Sequence, residues 1–250
     1  MEIEFNNKTV LITGGSNGIG AAAARLYIES GARVIILDID HIGEQIASRY
    51  SDSCRFIKCD LSDAKEVEKA ILEIGFSEGI DILVNNAGIQ TYGTVVDTTE
   101  ELWDKTISVN LKAQFLCAKY AIPFLLNSFE PVIVNVSSVN GIESQANGAA
   151  YVTSKAAILG LTKSIAVDFA PKLRCIAVCP GAVDTPMLQT DYNAAENKLQ
   201  FMSEINGIHL LSRTATAEEV ANFILFLSSS LASFATGHYY RVDGGIGIRI

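Results

Sequence analysis

The 250-residue sequence has few of the side chains that bind catalytic metals. Its three histidines, His41, His209 and His238, are widely separated, and its five cysteines form no C-x-x-C pair. Zinc sites need Cys or His at short, regular spacings, and that pattern is missing here. We therefore expect no bound metal, and we expect the cysteines to be reduced thiols packed as small hydrophobic side chains.

Basic residues are also scarce. The chain has 19 Lys and Arg against 28 Asp and Glu, a formal net charge of −9, and the basic residues do not cluster. Because phosphate backbones are bound largely through clustered basic side chains, a nucleic-acid partner is not expected. No stretch is apolar for the roughly 20 residues that a membrane span requires, and the first six residues lack the basic start of a secretion signal. These features predict a soluble, cytoplasmic protein without a membrane partner.

What the sequence does contain is an alternation of short β-branched runs with longer amphipathic segments. With 49% hydrophobic residues the chain is able to bury the core of one domain spanning residues 1–250. The runs predict strands at 10–12, 34–37, 55–59, 82–84, 132–136, 175–178 and 239–242. The amphipathic segments predict helices at 19–30, 63–76, 100–126 and 151–169. Repeated strand-helix-strand units with strands apolar on both faces predict an α/β fold with a doubly wound parallel sheet.

Residues 187–211 interrupt this regular pattern. The segment is polar and mixed, and it follows a strand end, where open α/β sheets bind their ligands. We interpret it as a substrate lid. An ordinary pair of surface helices is the alternative.

A glycine-rich turn follows the first predicted strand. Gly14, Gly18 and Gly20 form a G-x-x-x-G-x-G pattern that opens the first helix. Glycine permits close backbone approach, and the free N–H groups at a helix start attract a pyrophosphate. Such a turn is a weak signal alone, but here a strand precedes it and a helix follows it. In that context it predicts a dinucleotide site.

An acidic residue, Asp38, ends the second predicted strand, eighteen residues after Gly20. This is close to the spacing of about 20 at which an acidic residue binds the adenosine ribose hydroxyls. Asn17, Ile39 and Asp40 stand where basic residues would help to bind a 2′-phosphate. The pattern predicts NAD as the cofactor. The alternative is a surface Asp that caps the next helix.

A possible catalytic set lies in the second half of the chain. Tyr151 and Lys155 are four residues apart in a predicted helix and so share one face. Ser138, thirteen residues before Tyr151, follows the fifth predicted strand. Ser137 is a rival for the same position. Only one of the two serines can face Tyr151, because neighbouring strand side chains point in opposite directions. A tyrosine with its pKa lowered by an adjacent ammonium group is a base able to take the hydroxyl proton of an alcohol while a hydride leaves the carbon for an oxidised nicotinamide.

These motifs together resemble those of the short-chain dehydrogenase/reductase family. The similar segments are Gly14 to Gly20, Asp60-Leu61, Asn85 to Gly88, Asn110, the set Ser138, Tyr151 and Lys155, Pro180-Gly181 and Val242 to Gly245. The resemblance implies a Rossmann-like three-layer α/β/α fold and a homotetramer. It implies that Tyr151 is the acid/base, that Lys155 adjusts its pKa, that Ser138 anchors the substrate and that Asn110 relays protons. The family's spacing to the tyrosine favours Ser138 over Ser137.

The resemblance also implies which residues line the cofactor and substrate sites. The cofactor residues are Gly14, Ser16, Asn17, Gly18, Ile19, Gly20, Asp38, Asp60, Leu61, Asn86, Ala87, Gly88, Tyr151, Lys155, Pro180, Gly181, Val183 and Thr185. The candidate substrate residues are Gln90, Ser138, Asn140, Glu143, Gln145 and Tyr151. Several of the latter are polar loop residues, and a solvated loop is the alternative interpretation.

The substrate expectation depends on these polar side chains and on a second resemblance. Sugars present many hydroxyl groups that need polar partners, whereas a steroid or acyl chain favours apolar walls. Segments 85–90, 151–155, 170–175 and 178–180 resemble microbial aldose dehydrogenases of the family, which implies oxidation of an aldose at C1 to its lactone. The alternatives are a 3-oxoacyl thioester reductase, another secondary-alcohol or steroid dehydrogenase, and a non-catalytic cofactor-sensing protein.

Overall fold

The computed structural model describes residues 3–248 and contains a central seven-stranded sheet. The strands of the chain are β1 (Thr9–Thr13), β2 (Arg33–Asp38), β3 (Cys54–Lys58), β4 (Ile82–Asn85), β5 (Val132–Val136), β6 (Arg174–Pro180), β7 (Val183–Asp184), β8 (Ala215–Thr216) and β9 (Tyr239–Val242). The order in the large sheet is β3-β2-β1-β4-β5-β6-β9, and every pairing in it is parallel. Strands β7 and β8 form a separate small pair. The seven strands expected from the β-branched runs are the seven of this sheet.

Helices connect the strands. They are α1 (Gly18–Glu29), α2 (Ile42–Arg49), α3 (Ala64–Ser77), α4 (Glu100–Ile107), α5 (Ala113–Leu125), α6 (Ala149–Phe169), α7 (Pro186–Ala194), α8 (Lys198–Gly207) and α9 (Ala217–Ser228). A π-helical turn, Ser108–Lys112, joins α4 to α5, so the single helix expected over 100–126 is wrong in detail. Hydrophobic periodicity does not show such a turn, because a single wider turn is too short to have a period of its own. No helix within residues 3–248 is long and apolar enough to cross a membrane.

The helices cover both faces of the sheet. Val10 and Ile12 of β1 pack on the side of α1 and α9, while Leu11 between them packs on the side of α3 and α5. This alternation is the consequence of successive strand side chains pointing to opposite faces, and both faces of a parallel sheet need covering. The predicted doubly wound, three-layer α/β/α fold of one domain is confirmed. All five cysteines are buried and unpaired within these layers.

The strand order places one end of the sheet in the position of a ligand site. Chain connections run from β1 outward to β2 and β3 on one side, and through β4, β5 and β6 on the other. Such a reversal of order opens a crevice at the carboxyl ends of the strands. Helices α7 and α8 occupy most of the segment 187–211 at this end, and neither has a buried side chain. Its interpretation as a lid stays a prediction.

Candidate active site

A cavity of about 1110 Å³ lies at the carboxyl ends of the central strands. Typical small-molecule pockets measure about 300–1000 Å³, so this one has room for a dinucleotide together with a small substrate. It is lined by residues from the glycine turn, the ends of β2 and β4, the loop after β5, helix α6 and the loop after β6. Of the residues expected to bind cofactor or substrate or to catalyse, Ser16, Gly20 and Asn110 do not line it.

The glycine turn fits a pyrophosphate. The residue before α1, Asn17, makes no side-chain cap, so the first N–H groups of the helix are not bonded by it. A Cβ atom on Gly20 would lie 2.1 Å from the carbonyl oxygen of Gly14, which excludes any larger residue there. The Asn86 side chain donates hydrogen bonds to the carbonyl oxygens of Thr13 (3.1 Å) and Gly14 (2.9 Å) and so fixes the turn. An uncapped helix start behind a rigid glycine turn is the arrangement that binds a phosphate.

Acidic side chains line the cavity at the end of β2. The Asp38 carboxylate accepts hydrogen bonds from the backbone N–H groups of Ser16 (2.9 Å) and Asp40 (3.0 Å). The hydroxyl of Ser16 donates to the carbonyl oxygen of Asp40 (2.9 Å), and the Asn17 amide donates to the Asp40 carboxylate (2.8 Å). Ser16 therefore supports Asp38 from behind the cavity wall.

Helix α6 presents Tyr151 and Lys155 on its buried face, one turn apart. The Ser138 side chain lies close enough to that of Tyr151 to lower the pKa of the phenol. The Ser137 hydroxyl instead donates to a backbone atom of the helix, the carbonyl oxygen of Lys155 (2.7 Å). Ser138 therefore lies beside the Tyr151 side chain, whereas Ser137 bonds to the helix backbone, and the choice of Ser138 as substrate anchor stays a prediction.

The pKa values of the pair differ from the sequence expectation. Burial raises the pKa of the Tyr151 phenol, and the hydrogen bond with Ser138 lowers it by less. Burial also lowers the pKa of Lys155 to about 8. The ammonium group donates to the carbonyl oxygen of Val136 (3.2 Å) and lies 5.7 Å from the centre of the tyrosine ring. The expected lowering of the Tyr151 pKa by Lys155 is therefore not found in the chain by itself, because desolvation of the phenol is the larger effect.

Asn110 has a different environment from the one expected of a relay beside the cavity. It is fully buried in the π-helical turn, and its side-chain oxygen accepts from the backbone N–H of Ile89 (2.8 Å). Its amide group donates to the carbonyl oxygen of Ile89 (2.9 Å) and to the hydroxyl of Ser154 (3.0 Å). The side chain therefore ties the segment after β4 to α6 from behind the cavity wall.

The substrate end of the cavity contains a polar cluster. The Gln145 side-chain oxygen accepts from the Asn140 amide (2.8 Å), and the Asn140 backbone N–H donates to the hydroxyl of Ser138 (3.1 Å). The Nε2 atom of Gln145 is buried and, among residues 3–248, has no hydrogen-bond partner. Glu143 forms an ion pair with Arg241 (3.3 Å). Gln145 thus has an unused donor in the cavity wall, whereas Glu143 already has a partner.

Sequence reasoning missed a group of residues that surround the same end. Tyr92 donates a hydrogen bond to Asp191 of α7 (2.5 Å) and accepts one from Gln90 (2.6 Å). Burial and the bond to Asp191 raise the pKa of Tyr92. Further lining residues lie on α8 and just after it; they are Phe201, Ile205 and Ile208. Their segments carry no family motif, so only the position of Tyr92 two residues after Gln90 could have suggested it.

The charges that line the cavity are mostly negative. The acidic residues are Asp38, Asp40, Asp60, Glu143 and Asp191, and the basic residues are Lys105 and Lys155. Within the described part of the chain, five carboxylates therefore face two ammonium groups. A ligand with several negative charges would meet repulsion except at the start of α1 and at the lysines.

The glycine turn, the acidic end of β2 and the Ser138, Tyr151 and Lys155 cluster together define a dinucleotide-binding α/β oxidoreductase. A family profile described as enoyl-(acyl carrier protein) reductase matches residues 14–247. An uncharacterized oxidoreductase of Thermotoga maritima is 39% identical over 249 residues, covering 97% of this chain and 98% of the relative. The dehydrogenase/reductase SDR family member 6 of Aquarana catesbeiana is 36% identical over 246 residues, covering 96% and 98%.

A solved structure is similar over the same length. The ligand-free aldohexose dehydrogenase AldT of Thermoplasma acidophilum superposes with a TM-score of 0.91 at 39% identity, covering 98% of this chain and 96% of that chain. The protein belongs to the short-chain dehydrogenase/reductase family. Members of this family are oxidoreductases that use NAD or NADP and act on small molecules.

Proposed function

We propose that this protein is an NAD-dependent dehydrogenase that oxidises an aldose at C1 to its lactone. The observation that supports the reaction type is the pairing of Ser138 with Tyr151 beside buried Lys155 in the wall of a large cavity. We assign Tyr151 as acid/base, Ser138 as substrate anchor, Lys155 as the charge beside the tyrosine, and Asn110 as a residue that supports the proton path. The cofactor and substrate residues implied by the family resemblance are retained as the proposed binding set, except that Ser16 and Gly20, which do not line the cavity, shape it from behind.

The preference for NAD rests on Asp38. Its carboxylate is held at the cavity by two backbone N–H groups and still has lone pairs for the 2′- and 3′-hydroxyls of a ribose. Asp40 adds a second negative charge nearby, and the basic lining residues are confined to Lys105 and Lys155 within residues 3–248. A 2′-phosphate at this position would meet two carboxylates.

The proposed reaction moves one proton and one hydride. Bound NAD would accept the hydride from C1. The Tyr151 oxygen, as phenolate, takes the proton of the C1 hydroxyl while the C1–O bond becomes a carbonyl. The Ser138 hydroxyl holds the same substrate oxygen. The Lys155 ammonium favours the phenolate once the positive nicotinamide adds its charge to the site, which offsets the cost of burying the phenolate.

Support for a sugar comes from the polar substrate end. Gln145 has an unused buried donor, Asn140 lies beside it, and Asp191 and Tyr92 add further polar groups to the cavity lining. Hydroxyl groups are both donors and acceptors, so a polyol can bond with all of these groups, whereas an acyl chain cannot. The similarity to a solved aldohexose dehydrogenase agrees with this proposal.

The second candidate is an acyl thioester reductase, which the description of the family profile favours. The carriers of such substrates are anionic, and the lining carboxylates Glu143 and Asp191 count against them. A non-catalytic cofactor sensor is a weaker alternative, because it has no need of Ser138 beside Tyr151 and Lys155.

We further propose a cytoplasmic homotetramer. Large apolar side chains remain exposed on three neighbouring helices, namely Trp103 on α4, Phe115 on α5 and Val167 on α6. Patches of this kind are typical of subunit interfaces. Light scattering after size exclusion should give four times the chain mass, and a monomeric mass would contradict the proposal.

The function is tested with a substrate panel. Purified protein is assayed with aldoses, 3-oxoacyl thioesters and steroid alcohols, each with NAD(H) and NADP(H), by following nicotinamide absorbance. The panel includes the matched pair 1,3-butanediol and 3-hydroxybutyrate, which differ by a carboxylate at the end of the same carbon skeleton. We expect aldose oxidation with NAD and discrimination against the acid, and we expect Asp191→Asn to reduce that discrimination. Turnover of thioesters with NADPH and none of aldoses would contradict the proposal.

A further inference from the structure

His209 lies directly behind the cavity wall and has no place in the chemistry proposed above. It follows the end of α8, and its side chain is 2% exposed, although α8 itself has no buried side chain. The ring bonds in two directions: Nδ1 lies 2.7 Å from the carbonyl oxygen of Ile205, and Nε2 lies 3.1 Å from the backbone nitrogen of Ala182. The imidazole therefore bridges the last turns of α8 and the loop after β6.

The two partners determine the protonation state of the ring. The backbone N–H of Ala182 is able only to donate, so Nε2 must accept. The carbonyl of Ile205 is able only to accept, so Nδ1 must carry the proton. His209 is thus a neutral imidazole in one defined tautomer, with both nitrogens bonded. A side chain without an acceptor would leave the Ala182 N–H without its partner.

Two glycines make room for the ring. A Cβ atom on Gly181 would lie 2.9 Å from Nε2 of His209, and one on Gly244 would lie 3.3 Å from Cδ2. Both glycines belong to segments that run next to each other, because the Gly181 N–H donates to the carbonyl of Val242 (3.0 Å). The backbone of Leu211 also donates to the Gly244 carbonyl (3.2 Å). The imidazole is therefore packed against both the loop after β6 and the segment after β9.

Three walls of the cavity meet at this ring. The lining includes Gly181 and Ala182 from the loop after β6, Ile205 from α8, and Ile246 and Gly247 from the segment after β9. We propose that His209 is a positioning residue. It holds the loop 180–182, which is proposed to contact the nicotinamide, against the C-terminal end of α8. The backbone N–H of Ala182 donates to His209, and this bond fixes the distance between the loop and α8. The inference rests on the proposed cofactor site.

The test compares three variants. His209→Leu keeps an apolar side chain of similar size but removes the acceptor, His209→Gln restores an oxygen able to accept from Ala182, and His238→Leu is the matched control at an exposed histidine. Binding of NADH and of NADPH is measured by nicotinamide fluorescence well below the melting temperature of each variant. For the cofactor that the wild type binds, we expect His209→Leu to raise Kd about tenfold, equal to about 1.4 kcal/mol. His209→Gln should recover most of this loss, and His238→Leu should bind normally.

Hydrogen exchange of the protein without cofactor gives a second, independent readout. His209→Leu should accelerate exchange in the peptides containing 180–183 and 199–208, while His209→Gln should leave them near the wild-type rate. A role in stability alone would lower the melting temperature of both His209 variants equally and leave cofactor binding normal, and that result would overturn the inference. Selective binding of NADPH by the wild type would instead contradict the proposed cofactor, and the comparison of variants would still decide the role of His209.

Discussion

The cofactor end and the substrate end of the cavity are held together by different kinds of contact. At the cofactor end, the glycine turn lies between β1 and α1, and Asp38 is fixed by two backbone N–H groups. At the substrate end, α7 and α8 have no buried side chains, and α7 is joined to the segment after β4 by the bond between Tyr92 and Asp191. Backbone contacts define the first end, and side-chain pairs define the second.

The difference explains what each end is able to do. The pyrophosphate is the same in every nicotinamide dinucleotide, so a rigid backbone site suits it. Substrates vary, and a wall of weakly packed helices and exchangeable side-chain bonds is able to change without disturbing the core. Substitutions at the two ends should therefore separate into effects on turnover, on cofactor choice and on substrate affinity.

The largest effect is expected for Tyr151→Phe. The phenyl ring keeps the packing on α6 but has no hydroxyl to bond with Ser138 or to exchange a proton. Turnover should fall by about 10²-fold or more, the usual contribution of an acid/base. The Kd for NADH should stay within a few-fold of the wild-type value. Near-normal turnover would show that the base is another residue.

The pH dependence of oxidation is the next largest effect. The phenolate is the active form, and its fraction grows about tenfold per pH unit below the pKa of Tyr151. Burial raises this pKa, so the oxidation rate should keep rising beyond neutral pH. The slope should decrease above about pH 8, where Lys155 loses its charge. Stopped-flow rates of hydride transfer should show this profile, and a steady fall from neutral pH to about pH 9 with folded protein would contradict it.

The predictability of the fold and site from sequence follows the same division. The seven parallel strands were predicted from short runs that are apolar on both faces, and the shared helix face of Tyr151 and Lys155 was predicted from their spacing. The π-helical turn at Ser108–Lys112 was not predicted, since a single wider turn is too short to have a period of its own.

Contacts between distant segments were not predicted either. The bonds of Asp191 to Tyr92 and of His209 to Ala182 join residues 99 and 27 positions apart, and no local pattern encodes such pairs. The same limit applies to Ser16 and Asn110, whose motifs were seen but whose positions behind the cavity wall depend on how the segments pack.

Cofactor choice should change with Asp38. Asp38→Asn removes the charge but keeps an oxygen able to accept one of the backbone hydrogen bonds, whereas Asp38→Ala removes both acceptors. Both variants should weaken NAD binding by about tenfold and relax the exclusion of NADP. The loss of NAD affinity should be larger in Asp38→Ala, because there the Ser16 N–H also loses its hydrogen-bond partner. The measurement is kcat/KM with each cofactor. Equal values for NAD and NADP in the unmodified enzyme would show that Asp38 does not select the cofactor.

The smallest effects should distinguish two neighbours at the substrate end. Gln145→Leu removes the unused buried donor and the bond from Asn140, and a lost neutral hydrogen bond costs about 0.5–1.5 kcal/mol, so KM for an aldose should rise a few-fold to about tenfold. Glu143→Leu breaks a partly exposed ion pair with Arg241, which contributes little, so KM should change less. KM for NAD should be unchanged in both. If Glu143→Leu raised KM for the sugar and Gln145→Leu did not, then the carboxylate and not the amide would contact the substrate.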